Sequence, residues 1–586
     1  MEEIILCVRG EGFQVKKENL CIYSDYFRAM FSGSYVEDQL REISIDMVEP
    51  SIMSIILQYM NTGSIDLSEH PLRTIGDIAV AADYLVMTDL TKQVEQTLYK
   101  MELCESNWMQ IMTIAESCSF LNVEQLCAAF GVYSFKSMSA EHIPTLHKLA
   151  WYLSHPYLDS QSELDVFNFG FQWVLKNGAD ADALLIVLAC LDYTRLARQD
   201  IQEIRNCIKQ QDFVNSLAAA VIDCLFEVSN NDLKLFESVI NEQRNELSDK
   251  FTESVWIETK AVVKENNSRL LNYTPVVPTF YSIDSVFLQP TDQGYTYRTF
   301  NQDVGFEEWF QVSEGLFRIN ATPWGLMKVV VLYQEYNKAD PNDLLTKVKV
   351  YDVLRKEWIH HDVTIPLSCS YCPIVVVNDL LYIVGGLEYN DESIYTTTVT
   401  VYDLKRKTTE SIADLPENSA AVVCSHKNTL YAALNSRIYC YVDNGNSGLW
   451  KSVVKTNKIF ITCITSHKGY IYCTEKNSKQ LYRFRPHFDN KLEKVVCFDN
   501  FPCFLINTGN NLLAITRHET ESSLALVEEV KEQNNMITCN TIYSDRKYNN
   551  QDKFVTAEAF AVATTLPPLS KQLSEYKYNY LNKYSI

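Results

Sequence analysis

Glycine and positive charge are both scarce in this chain of 586 residues. Its 18 glycines are about 3% of the chain, under half the usual ~7%, which excludes a collagen-like or glycine-rich flexible protein. Lys and Arg number 52 against 74 Asp and Glu, so the net charge is −22. No whole-chain positive field attracts nucleic acid or anionic lipid. With 47% hydrophobic residues and only 16 prolines, we expect a folded protein without a nucleic-acid partner.

Long hydrophobic runs are missing too. The longest uncharged apolar stretch runs only from Ala183 to Leu191, far short of the ~20 residues that span a bilayer, so it predicts a buried helix. The N-terminus MEEIILCVRG carries acidic residues where a secretory signal is basic. The 17 cysteines show no repeated close spacing, which is typical of reduced thiols. We therefore expect a cytoplasmic protein without a membrane partner, and nuclear entry stays open.

Recognised catalytic and metal-binding motifs are likewise missing. The sequence has no GxSxG, GxxxxGK[ST], HExxH or GxGxxG pattern. Cys369 and Cys372 form a lone CxxC without the second close Cys/His pair that a structural zinc needs. We expect them to be buried thiols on a strand, and His360-His361 to lie in an exposed loop without a third metal ligand. The prediction is a non-catalytic chain with no catalytic residues, no metal and no cofactor.

The first 265 residues divide by pattern into two parts. Residues 1–100 mix a β-like run with short amphipathic helices, one of which starts at Pro50 and stops near Gly63, and predict a small α/β domain. Residues 101–265 are almost continuously helical in pattern and predict an all-α domain. Two stripes illustrate that pattern: Trp108, Ile111, Met112 and Ala115; and Val166, Phe167, Gly170, Trp173 and Val174. The Asn- and Pro-containing segment 264–275 marks the next boundary.

From about residue 276 a strand pattern recurs. Similar runs begin at residues 285, 328, 380, 429, 470 and 512: SVFLQP, KVVVLYQ, LLYIVGG, TLYAALN, YIYCTEK and LLAITR. A period of ~40–50 residues with only strands inside each repeat predicts a six-bladed β-propeller with four strands per blade. The strand-like run FVTAEAFAVATT, at 554–565, can pair with the first blade and remove an exposed edge. Residues 566–586 remain as a C-terminal tail.

The repeats share a second feature. A strand such as VKVYDV is followed by a tryptophan in three repeats, at Trp309, Trp358 and Trp450, and the near copy VTVYDL is followed by Thr409 instead. One repeat also carries a diglycine, Gly385-Gly386, directly after the strand LYIV.

This order of domains resembles the BTB–BACK–Kelch family. SDYFRAMF (24–31), ILQYMNTGSIDL (56–67) and YLSHPYLDSQSELDVFNFGFQWV (152–174) resemble its BTB and BACK motifs, and Gly385-Gly386 resembles the Kelch diglycine. The resemblance implies a BTB/POZ domain at 1–100, a BACK-like domain at 101–265 and a Kelch propeller at 276–565. A single diglycine in six repeats marks a divergent member with degenerate Kelch repeats.

The resemblance also implies a function. Many members of that family are substrate adaptors of cullin-3 ubiquitin ligases, in which the BTB and first BACK helices bind cullin-3 and the propeller binds a protein substrate. The family's hydrophobic-x-Glu motif matches Tyr35-Val36-Glu37. There Tyr35 would be an aromatic anchor and Glu37 a hydrogen-bond acceptor; the alternative is an ordinary solvated loop.

Two further alternatives stay open at this point. The chain could be a cytoskeletal, actin-associated Kelch scaffold that does not engage cullin-3. A BTB homodimer is also open, although the sequence starts directly on ILCV and so does not show the segment that relatives exchange between subunits.

Overall fold

A computed structural model of the chain describes residues 3–211, 269 and 273–563, with gaps. The gaps are at 34, 36–39, 161, 179–180, 193–194, 197, 282–294, 312–316, 338–343, 368, 370, 390–392, 436, 446–447, 457–458, 518–524, 534–535, 546–551 and 555–558. The described residues fall into two compact units, up to Arg269 and from Tyr273 onward. No helix within these ranges is long and apolar enough to cross a membrane.

The first unit begins with a three-stranded sheet and five helices. β1 (Glu3–Val8) pairs antiparallel with β2 (Glu11–Lys16) and parallel with β3 (Glu42–Ile45). The helices are α1 (Lys17–Tyr23), α2 (Asp25–Met30), α3 (Pro50–Thr62), α4 (Leu72–Tyr84) and α5 (Thr88–Lys100). The predicted helix boundary holds: Pro50 occupies the first turn of α3, and Gly63 ends it with a φ of 73° while its N–H bonds the carbonyl of Tyr59.

Six more helices continue the first unit. They are α6 (Trp108–Ser117), α7 (Leu121–Tyr133), α8 (Leu146–Leu153), α9 (Glu163–Lys176), α10 (Ala181–Ala189) and α11 (Arg198–Lys209). The two apolar stripes predicted from the sequence are buried faces of α6 and α9, and the run from Ala183 lies in the buried α10. Residues 212–265 of the predicted helical domain lie outside the described ranges.

A buried ion pair joins residues far apart in the first unit. The Arg269 guanidinium donates from Nε and Nη2 to the two carboxylate oxygens of Glu163, 3.0 Å each. Its remaining N–H groups bond the carbonyls of Leu153, His155 and Cys190 at 2.7, 3.0 and 3.2 Å. The Arg269 side chain is 3% exposed and that of Glu163 is 0% exposed. All five guanidinium donors are therefore satisfied away from solvent.

The second unit contains six antiparallel sheets in the part of the chain that the structure describes. Sheet 1 comprises β4 (Thr274–Tyr281), β5 (Tyr295–Asn301) and β6 (Gly305–Gln311), and the C-terminal strands β29 (Asp552–Phe554) and β30 (Phe560–Val562) share its fourth position by pairing with β4. Sheet 2 is β7 (Phe317–Trp324), β8 (Lys328–Tyr336), β9 (Leu344–Asp352) and β10 (Glu357–Ile365). Sheet 3 is β11 (Ile374–Val377), β12 (Leu380–Val384), β15 (Val399–Asp403) and β16 (Thr408–Ile412), with the hairpin β13 (Leu387–Tyr389) and β14 (Ser393–Tyr395) inserted after β12.

The last three sheets have the same order. Sheet 4 is β17 (Val422–His426), β18 (Thr429–Ala433), β19 (Arg437–Val442) and β20 (Leu449–Lys455). Sheet 5 is β21 (Ile461–His467), β22 (Tyr470–Glu475), β23 (Gln480–Phe484) and β24 (Glu493–Cys497). Sheet 6 is β25 (Phe501–Asn507), β26 (Leu512–Arg517), β27 (Ala525–Gln533) and β28 (Met536–Asp545).

Contacts between these sheets run in a circle. The first strands β7, β11, β17, β21 and β25 contact one another in that order, and β30 contacts both β25 and β7. A buried apolar cluster lies between each sheet and the next; Phe300 of sheet 1, for example, packs with Ile506 and Ile515 of sheet 6. This circular order is that of a six-bladed propeller. The predicted pairing of the C-terminal run with the first blade is confirmed by β29 and β30.

Five of the six predicted repeat strands are strands of the structure, and SVFLQP lies outside the described residues. Two smaller predictions were wrong. Cys369 and Cys372 are buried as expected, but they lie in the loop between β10 and β11. His360-His361 lies inside β10, where the pairing register shifts between Ile359 and Val363, and not in a loop. A β-bulge inserts extra residues into one strand, so β10 continues through the two histidines although they are not in the regular pairing.

A carboxylate that accepts hydrogen bonds from neutral donors is buried in sheet 6. Glu528 accepts hydrogen bonds from the backbone N–H groups of Asp499 and Asn500 at 2.8 and 3.0 Å, and from the Thr516 hydroxyl at 2.8 Å. The Asn500 side chain and the Cys539 thiol also donate to it. These bonds tie the connection after sheet 5 to the middle of sheet 6.

Candidate partner-binding surfaces

Helix α2 positions the predicted hydrophobic-x-Glu segment. Ser24 caps the helix: its hydroxyl accepts from the N–H of Phe27 at 3.2 Å and donates to the carbonyl of Leu85 at 2.6 Å. Ser24 and Phe27 are completely buried. An N-cap of this kind stabilises a helix by about 1 kcal/mol. The bond to Leu85 also fixes α2 against the turn between α4 and α5.

Charged side chains hold the other end of α2. Arg28 pairs with Asp25 at 2.5 Å, and its guanidinium donates to the carbonyls of Cys21 and Ile22 at the end of α1. The Lys17 ammonium lies 4.7 Å from the centroid of the Phe31 ring. The residues that lead out of α2 are therefore anchored on α1.

Tyr35 follows this anchored segment and projects into solvent, with 58% of its surface exposed. Val36 and Glu37 lie outside the described residues. An exposed aromatic side chain is the residue type that often dominates interface energetics. Tyr35 can therefore act as an anchor for a protein partner.

Two further exposed apolar side chains lie on segments bonded to α2, and sequence reasoning missed both. Ile22 is exposed at the end of α1, and Val86 is exposed in the turn after α4. Val86 has a φ of 51°, a left-handed conformation that β-branched residues rarely adopt. Its carbonyl accepts from the N–H of Asp25. Glycine is usual at this position after a helix, so the valine itself could have drawn attention to residue 86 in the sequence.

The propeller presents two different ends. Turns between first and second strands and between third and fourth strands lie at one end, which we call the hairpin end. Loops between second and third strands, and the connections between sheets, lie at the other, which we call the loop end. Four aromatic side chains that the structure describes as exposed belong to the loop end: Tyr336, Tyr371, Tyr395 and Phe460. Phe488, 82% exposed, belongs to the hairpin end. The repeat period did not predict this difference.

The three predicted tryptophans lie on the outermost strands of their sheets. The rings of Trp309 in β6 and Trp358 in β10 lie 5.5 and 5.2 Å from that of Tyr351. Trp450 in β20 donates its indole N–H to the carbonyl of Ala413 at 2.9 Å. All three are partly buried against the clusters between sheets. Their contacts are those of packing residues.

The diglycine occupies a position that needs glycine. Gly385 and Gly386 have φ angles of 58° and 121°, and a Cβ on Gly385 would lie 3.0 Å from the carbonyl oxygen of Thr396. The N–H of Gly385 donates to the carbonyl of Thr398 at 2.8 Å, and the carbonyl of Gly386 accepts from the N–H of Thr396 at 2.9 Å. The pair therefore shapes the start of the loop after β12.

Two buried histidines link the first strands of neighbouring sheets. His426 of sheet 4 bonds the Ser466 hydroxyl through Nδ1 at 2.8 Å, and Nδ1 of His467 in sheet 5 bonds the amide oxygen of Asn507 at 2.9 Å. Burial lowers the pKa of each imidazole to about 4. Both rings are therefore neutral at pH 7, and His467 donates from Nδ1 to its partner.

The described ranges contain no group of three or more His, Cys, Asp or Glu side chains that could hold a metal ion. Burial and, to a smaller extent, the charge of Arg269 lower the pKa of His155 to about 3. His155 therefore belongs to the buried cluster around Arg269. The described residues offer surfaces for binding a partner: the exposed Tyr35 in the first unit and the exposed aromatic side chains of the loop end in the second.

Comparison with known proteins assigns the first of these regions. Residues 2–102 match the BTB/POZ domain family. Kelch-like protein 40 of Xenopus tropicalis is 27% identical over 224 residues, 36% of this chain and 34% of the relative. Kelch-like protein 26 of Danio rerio is 27% identical over 176 residues, 29% and 28% of the two chains.

A third similar protein has a different name. The "Armadillo BTB Arabidopsis protein 1" of Arabidopsis thaliana is 26% identical over 141 residues, 24% of this chain and 19% of the relative. The chain thus spans about a third or less of the length of the curated relatives it matches. Residues 2–102 are thus similar to a BTB/POZ domain, and the chain is similar to Kelch-like proteins over about a third of its length.

Proposed function

We propose that this chain is a non-catalytic adaptor of a cullin-3 ubiquitin ligase. In this proposal the BTB/POZ domain and the first helices after it bind cullin-3, and the propeller binds a protein substrate. The observation that carries the proposal is Tyr35, an exposed aromatic side chain within the BTB/POZ match. We further propose the domain limits 1–100, 101–265, 276–565 and 566–586, and a cytoplasmic location.

The mechanism is proximity. An adaptor with two binding surfaces holds the substrate near the ubiquitin-charged enzyme and so raises its effective concentration. Correct placement of two reactants can replace a large part of a bimolecular barrier. In this mechanism no step of ubiquitin transfer takes place on this chain.

Three residues form the proposed cullin-3 contact. Tyr35 enters a pocket of the partner as the anchor, Val36 adds apolar area beside it, and Glu37 accepts a hydrogen bond from the partner. The exposed side chains of Ile22 and Val86 lie on segments bonded to α2 and extend the apolar area.

The loop end of the propeller is the proposed substrate surface. Tyr336, Tyr371 and Tyr395 are exposed on two neighbouring sheets. Tyrosines give a large rigid contact area at low entropic cost, which suits recognition of a protein segment.

Calorimetry with the cullin-3 N-terminal domain tests the proposal. Tyr35→Ala is expected to weaken binding by about 30-fold, since truncating an anchor costs ~2 kcal/mol or more. Phe488→Ala removes a more exposed aromatic ring from the other unit and is expected to leave the affinity unchanged. Equal affinities of wild type and Tyr35→Ala would reject Tyr35 as the anchor.

The alternative function is an actin-associated scaffold that uses the same propeller. Co-sedimentation of the full chain with filamentous actin, in the absence of any affinity for cullin-3, would favour it over the adaptor.

A further inference from the structure

The loop between β10 and β11 brings two thiols together. Cys369 and Cys372 are both buried, and their Sγ atoms lie 3.1 Å apart. A disulfide has an S–S length of about 2.0 Å, so a movement of about 1 Å would join them. The described residues supply no third ligand for a metal at this pair. The pair is therefore better suited to redox chemistry than to a structural zinc.

The loop is held in this closed form from outside. The Asn320 side chain donates to the carbonyl of Cys372 at 2.6 Å, and the Gln334 side chain donates to the carbonyl of Cys369 at 3.2 Å. The Cys369 thiol itself donates to the carbonyl of Gly385 at 3.3 Å. Sheet 2 thus holds the carbonyls of both cysteines, and the residue after β12 of sheet 3 accepts from the Cys369 thiol.

The backbone of the loop is strained. Tyr371, between the two cysteines, has a φ of 53°. A left-handed conformation costs an ordinary residue roughly 1–2 kcal/mol, and such strain persists only where the surroundings enforce it. The fold therefore maintains the short distance between the two sulfur atoms at a cost in backbone energy.

We propose that Cys369 and Cys372 form a redox-sensitive dithiol that peroxides convert to a disulfide. In the first step the sulfur of Cys369 attacks a peroxide oxygen, the O–O bond breaks, and a sulfenic acid and water form. In the second step the Cys372 sulfur attacks the sulfenic sulfur, and a second water leaves. In total two thiols and one hydrogen peroxide give one disulfide and two waters. This inference goes beyond the adaptor function and does not depend on it.

The assignment of the attacking sulfur follows from the pair's own hydrogen bond. The S–H of Cys372 donates to the sulfur of Cys369, which lowers the pKa of Cys369. The same bond, together with burial, raises the pKa of Cys372. Cys369 is therefore the better nucleophile and Cys372 the resolving thiol.

Sheet 4 contains an internal control pair. Cys424 and Cys440 are both buried, and each lies opposite Tyr431 on either side of β18. Residues separated by two strand spacings are about 9–10 Å apart, beyond the reach of a disulfide. Exposed Cys104 and Cys497 report whether the oxidant has acted at all.

Peptide mapping of the full chain tests the proposal. The protein is treated with hydrogen peroxide and then unfolded in denaturant that contains N-ethylmaleimide, which labels free thiols. After digestion, the peptide masses are measured by mass spectrometry before and after reduction with dithiothreitol. We expect the Cys369–Cys372 peptide to lose two hydrogen atoms, to take up no maleimide and to recover both thiols on reduction. Full maleimide labelling of this pair at peroxide levels that oxidise Cys104 and Cys497 would overturn the proposal, as would an equal yield of a Cys424–Cys440 link.

Two variants test the order of the steps. In Cys372→Ser the sulfenic acid has no resolving thiol, so dimedone is expected to label Cys369. In Cys369→Ser dimedone is expected to leave Cys372 unlabelled. Labelling of Cys372 alone would reverse the assignment, and the wild-type map decides the proposal if either variant does not fold.

Discussion

Replacing Arg269 by methionine is expected to destabilise the first unit strongly. Glu163 would keep its charge with none of its side chain exposed, and three carbonyls would lose their donor. Removing one partner of a buried ion pair typically costs 3–5 kcal/mol. Arg195, 3.3 Å from Glu163, and the N–H of Asp192 at 3.0 Å still hold the carboxylate. We therefore expect a loss of about 3–4 kcal/mol.

Urea unfolding, monitored by the helical circular-dichroism signal, measures this loss. The helical signal reports on the first unit because the second unit is built of strands. With a slope of ~2–3 kcal/mol/M, 3–4 kcal/mol shifts the midpoint by about 1.5 M. Arg28→Met removes an exposed arginine from an ion pair with Asp25 and is expected to cost less than about 1 kcal/mol.

A double substitution measures the coupling between Arg269 and Glu163. Glu163→Gln in the Arg269→Met background removes the stranded charge, so the double variant is expected to be at least ~1–2 kcal/mol more stable than the sum of the two single losses. Equal midpoints for Arg269→Met and Arg28→Met, or strict additivity in the double variant, would refute the account of a buried, coupled pair.

Three further predictions concern single positions. The folded pKa of His467, about 4, lies below its unfolded value of ~6.5. The unfolded state therefore binds more protons between these values, and stability is expected to fall as the pH drops from 6.5 to 4. His467→Gln is expected to flatten that fall, measured as urea midpoints at pH 7 and pH 4.5; an unchanged slope would contradict it. Glu528→Leu leaves several buried donors without their acceptor and is expected to destabilise the propeller by about 3 kcal/mol. The control Glu410→Leu, at an exposed position, is expected to cost less than ~0.5 kcal/mol. Thermal unfolding compares the two variants, and similar shifts of their melting temperatures would contradict the prediction. Val86→Gly relieves a left-handed valine and is expected to stabilise the first unit by about 0.5–1 kcal/mol, whereas Val80→Gly, in the interior of α4, is expected to destabilise it by about 1 kcal/mol; a loss of stability in Val86→Gly would show that the strain is absent.

Features with a local cause could be predicted from the sequence. The near copies VKVYDV and VTVYDL fold alike: the carboxylates of Asp352 and Asp403 accept from the N–H groups two and three residues on. Lys356 and Lys407 then take left-handed φ angles of 57° and 59°. Because a carboxylate that bonds its own turn needs only a few neighbouring residues, the repeat is visible in the sequence.

Features that depend on distant residues could not be predicted. Arg269 and Glu163 are 106 positions apart, and no local pattern connects them. The CxxC was expected on a strand, whereas side chains from sheet 2, Asn320 and Gln334, bond its carbonyls in a loop. The concentration of aromatic residues at the loop end arises only when six repeats are arranged in a circle.

The candidate site was predicted in part. Sequence reasoning selected Tyr35, and the structure places it as an exposed residue after the capped α2. It missed Ile22 and Val86, whose relation to α2 depends on hydrogen bonds from Arg28 and Asp25. Val36 and Glu37 stay predictions, since both lie outside the described residues.

Binding of the purified full chain to the cullin-3 N-terminal domain tests the central claim most directly. Calorimetry gives the affinity, and the mass of the complex from light scattering gives the number of copies, which also tests the open question of a BTB homodimer. The account predicts a saturable complex that Tyr35→Ala weakens and Phe488→Ala leaves intact. A folded wild-type chain with no measurable affinity for cullin-3 would contradict it.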